Sequence, residues 1–155
     1  MAADETTLVC RVAHRLCALP LTHVRETMRP LPVEAVAGVI PPITGVAIIR
    51  GAAVPVVDLG RLISGDPSDA GRFVTVRVGD RSVALVVDAV VGIRAIPRET
   101  SQALPLLLHE ADHDAVVRIG TLDAELLLVL EDSRIVPEAA WQALDRAPDG
   151  LQPNL

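Results

Sequence analysis

A gapless internal repeat constrains the fold of this chain more than any other feature. The segment Arg11-Val-Ala-His-Arg-Leu-Cys-Ala-Leu-Pro-Leu-Thr-His-Val24 aligns on Arg77-Val-Gly-Asp-Arg-Ser-Val-Ala-Leu-Val-Val-Asp-Ala-Val90, with Arg, Val, Arg, Ala, Leu and Val recurring in register. Each copy has the form of a β-hairpin followed by a Val that begins the next element. The repeat therefore predicts two related β-subdomains that are joined near residues 58–72.

Short runs rich in Val, Leu and Ile, separated by Gly, Pro and Asp, predict an all-β chain. Five such strands on each side of the joint favour two small β-barrels over one open sheet, because a barrel leaves no sheet edge exposed. The predicted strands are Leu8–Ala13, Leu16–Pro20, Arg25–Leu31, Val46–Arg50, Val54–Val57, Phe73–Val78, Ser82–Val87, Val90–Ile96, Val116–Thr121 and Glu125–Leu130.

Few helices are expected. Asp58–Ile63 is predicted as a short helix that Asp58 caps, and residues 65–71 as a flexible connector. Pro137–Arg146 is predicted as a terminal helix with Pro in its first turn. We expect one domain at residues 7–140, made of subdomains at about 16–71 and 72–136 with the N-terminal strand open to sharing, followed by a helix and tail at 137–155.

Composition excludes several classes of partner. A net charge of -6 and a single Phe, a single Trp and no Tyr disfavour nucleic acid, which needs basic surfaces and aromatic stacking. No secretory signal and no apolar run of about 20 residues is visible, so we expect a cytoplasmic protein without membrane insertion. Cys10 and Cys17 have no metal-ligand spacing and are expected to pack as free, small apolar side chains.

Three motifs occur in a recognisable order. They are Val24-Arg-Glu-Thr-Met28, then Gly45-Val-Ala-Ile-Ile-Arg-Gly51, then Pro55-Val-Val-Asp-Leu59. In this order and spacing the chain resembles the CheW-like family of chemotaxis coupling proteins, whose members read V-x-E-V, G-V-x-N-L-R-G and P-V-x-D-L. The repeat segment Val83–Val90 is also similar to a family strand pair. The usual Asn-Leu is Ile48-Ile49 here, and Thr27 stands where the family has a β-branched apolar residue.

The resemblance implies a scaffold of two intertwined five-stranded barrels without catalysis, cofactor or metal. Such proteins bind the cytoplasmic tip of a chemoreceptor in the groove between the subdomains, and they bind the similar regulatory domain of the CheA histidine kinase. The residues of this chain that match the family's receptor- or kinase-binding positions are Val24, Glu26, Gly45, Ile49 and Arg50. Ile48 marks a position where the choice of partner could differ.

Each of these residues has a plainer interpretation. Glu26 and Arg50 form a charge-assisted pair that fixes the receptor-facing surface, or they are two independent solvated charges. Gly45 allows a left-handed turn or the close approach of a partner helix, or it is an ordinary turn glycine. Val24 and Met28 contact a receptor helix, or they pack in the core.

One motif points to a different function. His109-Glu110-Ala111-Asp112-His113 matches H-E-x-x-H, in which two His residues one helical turn apart bind zinc and the Glu acts as general base. Glu125 or Glu131 would be the third ligand of a zinc-dependent hydrolase. The acidic surroundings and the expected loop position count against this alternative. A third hypothesis keeps the CheW-like fold but gives it a role in a receptor pathway other than chemotaxis.

Overall fold

The chain folds into eleven strands and one short helix within the residues described. The computed structural model describes residues 4–39, 41–97, 102–103, 116–130, 136 and 142. The elements are β1 Asp4–Val12, β2 Arg15–Pro20, a 3₁₀ turn at Leu21–His23, β3 Val24–Met28, β4 Ile43–Ile49, β5 Ala52–Asp58, α1 Leu59–Ser64, β6 Arg72–Val78, β7 Arg81–Val87, β8 Ala89–Pro97, β9 Gln102–Ala103, β10 Val116–Leu122 and β11 Glu125–Leu130. The predicted all-β class is confirmed. Of the predicted terminal helix at 137–146, only Gln142 is among the described residues, so the helix stays a prediction.

Two predicted strand ends are wrong for identifiable reasons. The third strand ends at Met28 instead of Leu31, since Pro30 and Pro32 lack the N–H that a strand ladder requires. The fourth strand ends at Ile49, and Arg50 lies in a turn with φ 52°. The two-residue strand β9 was not predicted, because so short a segment has no detectable periodicity.

The strands form two sheets, and the second sheet is built from one continuous stretch of the chain that lies between the segments of the first. The first sheet has the order β8-β1-β2-β11-β10-β9, and the second sheet has the order β3-β6-β7-β5-β4. β3 follows β2 in the chain but pairs with β6 in the second sheet, whereas β8 follows β7 but pairs with β1 in the first. Each of the two hairpins is therefore followed by a strand that pairs in the other sheet, and this exchange of strands makes the architecture intertwined.

The internal repeat corresponds to two hairpins with the same register. Cys10 is opposite Cys17 in the β1–β2 hairpin, and Val76 is opposite Val83 in the β6–β7 hairpin, at the positions that the repeat aligns. The second strand of each hairpin also has a parallel neighbour, β11 for β2 and β5 for β7. Strand pairing alone does not define folding units, so the subdomain limits at residues 16–71 and 72–136 stay a prediction.

Both faces of each sheet's central strands are buried. Alternate residues point into a shared core formed by both sheets, which includes Leu8, Cys10, Cys17, Leu19, Val57, Val74, Val76, Val83, Leu85, Leu128 and Leu130. The residues between them fill a smaller cluster belonging to one sheet. Phe73 is in the cluster of the second sheet and Leu127 in that of the first. Burial on both faces explains why these strands read as continuous apolar runs.

The segment that joins β5 to β6 is tied down at both ends. Asp58 caps α1 as predicted, since its Oδ1 accepts hydrogen bonds from the N–H groups of Gly60 and Arg61. The same oxygen accepts bonds from the N–H and hydroxyl of Ser68, and Asp88 Oδ1 accepts the N–H of Asp69 at 2.8 Å. The connector predicted to be flexible is therefore held by two carboxylates.

Candidate protein-interaction site

Glu26 and Arg50 form a two-pronged ion pair on the surface of the second sheet. Arg50 Nε donates to Glu26 Oε1 at 2.9 Å, and Arg50 Nη2 donates to Glu26 Oε2 at 2.7 Å. The parallel arrangement of two charge-assisted bonds restricts the guanidinium to one plane. The predicted pairing is confirmed, and the interpretation as two independent charges is not.

The pair connects opposite edges of the second sheet. Glu26 lies on β3, at one edge, and Arg50 directly follows β4, at the other. Their side chains meet only if the sheet curls until its edges are close, as in the predicted barrel. An ion pair thus spans a gap that a fully closed barrel would fill with backbone hydrogen bonds.

A two-residue turn presents Arg50 to solvent. Arg50 and Gly51 have φ values of 52° and 79°, and Ile49 and Ala52 are paired across them. This is the conformation of the tight hairpin turns that match the twist of antiparallel strands. The Arg50 side chain is 79% exposed and that of Glu26 is 30% exposed. Arg50 therefore does not bear the desolvation cost of a charge buried on a strand.

Pairing stabilises the charged form of both side chains. The hydrogen bonds and the charge of Arg50 lower the pKa of Glu26, while those of Glu26 raise the pKa of Arg50. The site therefore keeps both charges at neutral pH and into the acid range. It offers an oriented cation and anion side by side, a polar surface suited to recognition and not to proton transfer.

Ile48 and Ile49 have opposite environments on β4. Ile49 is buried in the core cluster of the second sheet, while the side chain of Ile48 is 61% exposed. Ile49 is one of the residues predicted to bind the receptor or the kinase. Its side chain has little surface to offer a partner, and Ile48 offers far more.

Gly45 is required by the chain's own backbone. It lies at a bulge in β4, beside the isolated bridge between Glu34 and Val46. A Cβ atom on Gly45 would overlap the carbonyl oxygen of Glu34 and come within 2.9 Å of Val33 Cγ1. The close approach that its glycine permits is therefore made by residues 33–34. Gly45 is itself buried, and it affects the surface only by letting residues 33–34 pack against the edge strand β4.

Val24 and Met28 are half-buried on β3. Val24 packs against the shared core, and Met28 packs against the core cluster of the second sheet. Each side chain contributes to the core and keeps part of its surface accessible. Of the five predicted binding residues, Glu26 and Arg50 are in direct contact, and Val24 lies on the same strand as Glu26.

The chain is similar to proteins of one known family. The family model of the CheW-like domain matches residues 6–140. The chain belongs to the CheW-like domain family. A solved structure with the same fold is the scaffolding protein TtCheW from Thermoanaerobacter tengcongensis, with a TM-score of 0.75 and 19% identity, covering 90% of this chain and 96% of that chain. Comparison with curated proteins finds no matching sequence.

Membership of the CheW-like family supports a chemotaxis scaffold or adaptor. At the level of the family, these are scaffolding proteins and not enzymes. The zinc-dependent hydrolase has no support from either comparison. Its H-E-x-x-H motif at 109–113 and Glu131 lie outside the described residues. Glu125, the other proposed third ligand, instead forms an ion pair with Arg11.

Within residues 4–39, 41–97 and the shorter described segments, there is no group of three or more His, Cys, Asp or Glu residues that could hold a metal ion. None of the helices described there is long and apolar enough to span a bilayer. Cys10 and Cys17 are free and buried, as predicted.

Sequence reasoning missed two surface features of this CheW-like chain. Arg11 and Glu125 form a second bidentate pair, with both N–O distances 3.1 Å, on the first sheet. Nothing in the sequence links residues 114 positions apart. Val91 and Ile93 are exposed apolar side chains on β8, an edge strand of the first sheet. The repeat could have drawn attention to them, because β8 follows β7 as β3 follows β2.

Proposed function

We propose that this chain is a non-enzymatic adaptor that couples chemoreceptors to a CheA-type histidine kinase in the bacterial cytoplasm. Membership of the CheW-like family supports a scaffolding role. The observation that carries the receptor contact is the Glu26–Arg50 pair, which orients two exposed charges at a place where the family motifs meet. Val24 adds partly exposed apolar surface on the same strand.

Ordered charges suit a docking surface. Arg50 uses its Nε and one Nη2 bond for Glu26, so the remaining N–H groups of its exposed guanidinium face solvent in a fixed direction. A partner helix that meets this surface gains oriented polar contacts without first ordering a long side chain. Individually weak contacts of this kind become effective when receptor and kinase are held together by one adaptor.

A double-mutant cycle on receptor binding tests the role of the pair. Glu26→Ala, Arg50→Ala and the double variant are titrated with a receptor cytoplasmic fragment from the same organism by calorimetry. We expect each single substitution to weaken binding and the double variant to bind no more weakly than the weaker single variant. Additive losses would show that the two residues act independently.

The Arg11–Glu125 pair supplies a matched control. It has the same bidentate chemistry, with Arg11 39% and Glu125 48% exposed, but it lies on the first sheet. Arg11→Ala should leave receptor affinity within about twofold of wild type.

The contact with the kinase is tested by pull-down of the kinase regulatory domain with the wild-type protein. If the wild-type protein also pulls down a receptor that serves a developmental or surface-sensing pathway, the non-chemotactic role is favoured.

A further inference from the structure

We propose that Ile48 selects the receptor, by contacting an aliphatic side chain on the receptor helix that docks beside the Glu26–Arg50 pair. This inference rests on the proposed function and names the chemistry that the site recognises. Among the described residues, Ile48 is the most exposed large hydrophobic side chain, at 61%. An isoleucine in that position has no role in packing the core.

The backbone around Ile48 directs its side chain outward. Ile49, the next residue, is buried in the core cluster of the second sheet, and successive side chains of a strand point to opposite faces. The residue opposite Ile48 on β5 is Ala53, whose small, half-buried side chain cannot cover an isoleucine. β4 is moreover an edge strand, whose outer neighbour is joined only by the bridge at Glu34.

Ile48 also lies next to the oriented charges. It is two residues before Arg50 on the same hairpin, at the end of the sheet where Arg50 binds Glu26. The surface thus consists of one aliphatic side chain beside an ordered ion pair. Tight protein contacts commonly have this organisation, with an apolar anchor that is dehydrated and polar groups at its rim.

The chemistry at position 48 determines which helix fits. An aliphatic side chain gains free energy only when apolar surface covers it, and it cannot satisfy a polar group that becomes buried against it. A receptor helix with an aliphatic residue at the contact is therefore favoured, and one with an amide or hydroxyl is disfavoured. Family members with Asn at this position would have the reverse preference.

The test measures receptor affinity for Ile48→Asn and for a matched control, Leu126→Asn. Leu126 is 47% exposed, lies opposite a small residue, Thr121, and follows Glu125 of the other ion pair. We expect Ile48→Asn to weaken binding of the receptor fragment about tenfold, the loss for uncovering one well-packed aliphatic contact. Leu126→Asn should change it less than about twofold. Equal affinity of Ile48→Asn and wild type would overturn the inference.

The partner residue is found with a second cycle. Each aliphatic residue on the docking face of the receptor fragment is replaced by Ala and titrated against wild type and Ile48→Ala. At one receptor position, the Ala substitution should lower the affinity for the wild-type protein and leave the affinity for Ile48→Ala unchanged. The absence of any such coupled position would contradict the proposal. If the wild-type protein binds none of the organism's receptor fragments, the proposed function itself fails, which is a different result. Denaturation midpoints of both Asn variants should match wild type, since both positions are exposed.

Discussion

Removing the Asp58 carboxylate should destabilise the protein far more than a single helix cap would explain. Its Oδ1 accepts four hydrogen bonds, from Gly60 N at 3.0 Å, Arg61 N at 3.3 Å, Ser68 N at 3.1 Å and Ser68 Oγ at 2.8 Å. The side chain thus caps α1 and holds the connector between β5 and β6 with one atom. These four bonds give a structural explanation for the Asp of the P-V-x-D-L motif.

The magnitude follows from the groups left without an acceptor. Loss of an N-cap costs about 1 kcal/mol. Leaving the partly buried N–H and hydroxyl of Ser68 with fewer acceptors adds about 1–2 kcal/mol, although Ser68 Oγ can still donate to the carbonyl of Val86. We therefore expect Asp58→Ala to lower the free energy of unfolding by about 2–3 kcal/mol, a large part of the stability of a domain of this size.

Urea unfolding followed by circular dichroism measures this loss. Asp58→Asn is the matched control, because its amide oxygen can still accept bonds where Oδ1 accepts them now, and it should lose about 1 kcal/mol or less. An Asp58→Ala variant within about 0.5 kcal/mol of wild type would refute the reasoning. Equal destabilisation by Ala and Asn would show that the charge matters and the acceptor geometry does not.

Two further predictions concern buried positions. Gly45→Ala should lower the free energy of unfolding by about 2 kcal/mol or more, because a Cβ atom would overlap the Glu34 carbonyl. The control is Gly65→Ala, where φ is 79° but the space is open, and it should lower the free energy of unfolding by only about 1 kcal/mol. Equal losses for the two variants in denaturation experiments would contradict the steric argument. Burial raises the pKa of Cys10 from 9.0 to about 12 and raises that of Cys17 as well. The unfolded chain therefore loses its thiol protons first as pH rises above about 9, and stability should fall by about 1.4 kcal/mol per pH unit per thiol. Replacing both cysteines with Val, the residue at the matching hairpin positions, should flatten this fall in a series of denaturation curves, and an unchanged slope would show that other groups cause it.

The general architecture was predictable because the strong signals in the sequence are local. The apolar runs follow from strands buried on both faces, and the repeat predicted two hairpins whose registers agree. The carboxylate of Asp58 stands directly before a helix, which is where caps occur. Each of these features depends on residues close together in the chain.

The features that could not be predicted depend on distant contacts or on backbone conformation. The hydrophobic periodicity of the sequence does not show that β3 and β8 each pair in the sheet opposite to that of the preceding hairpin, since both strands simply follow a hairpin in the chain. Arg50 was predicted to end a strand, because the sequence pattern does not show its φ of 52°. The difference in burial between Ile48 and Ile49 depends on which face β4 turns to the core. A shift of one residue would reverse it.

Gly45 illustrates the same limit at the candidate site. A glycine before an apolar strand is compatible with a turn, with a partner's approach or with a bulge. Only the position of Glu34, eleven residues earlier, decides among them. The ion pair of Glu26 and Arg50 was predictable because family motifs contain both charges, while that of Arg11 and Glu125 was not.

Reconstitution of receptor, kinase and this protein tests the adaptor role most directly. A membrane-free receptor fragment is immobilised, and bound CheA-type kinase is measured with and without the protein. The adaptor account predicts that kinase is retained only when the protein is present, and that Arg50→Ala reduces the retained amount while Arg11→Ala does not. Equal retention without the protein, or none with it when each partner is shown to be folded, would contradict the account.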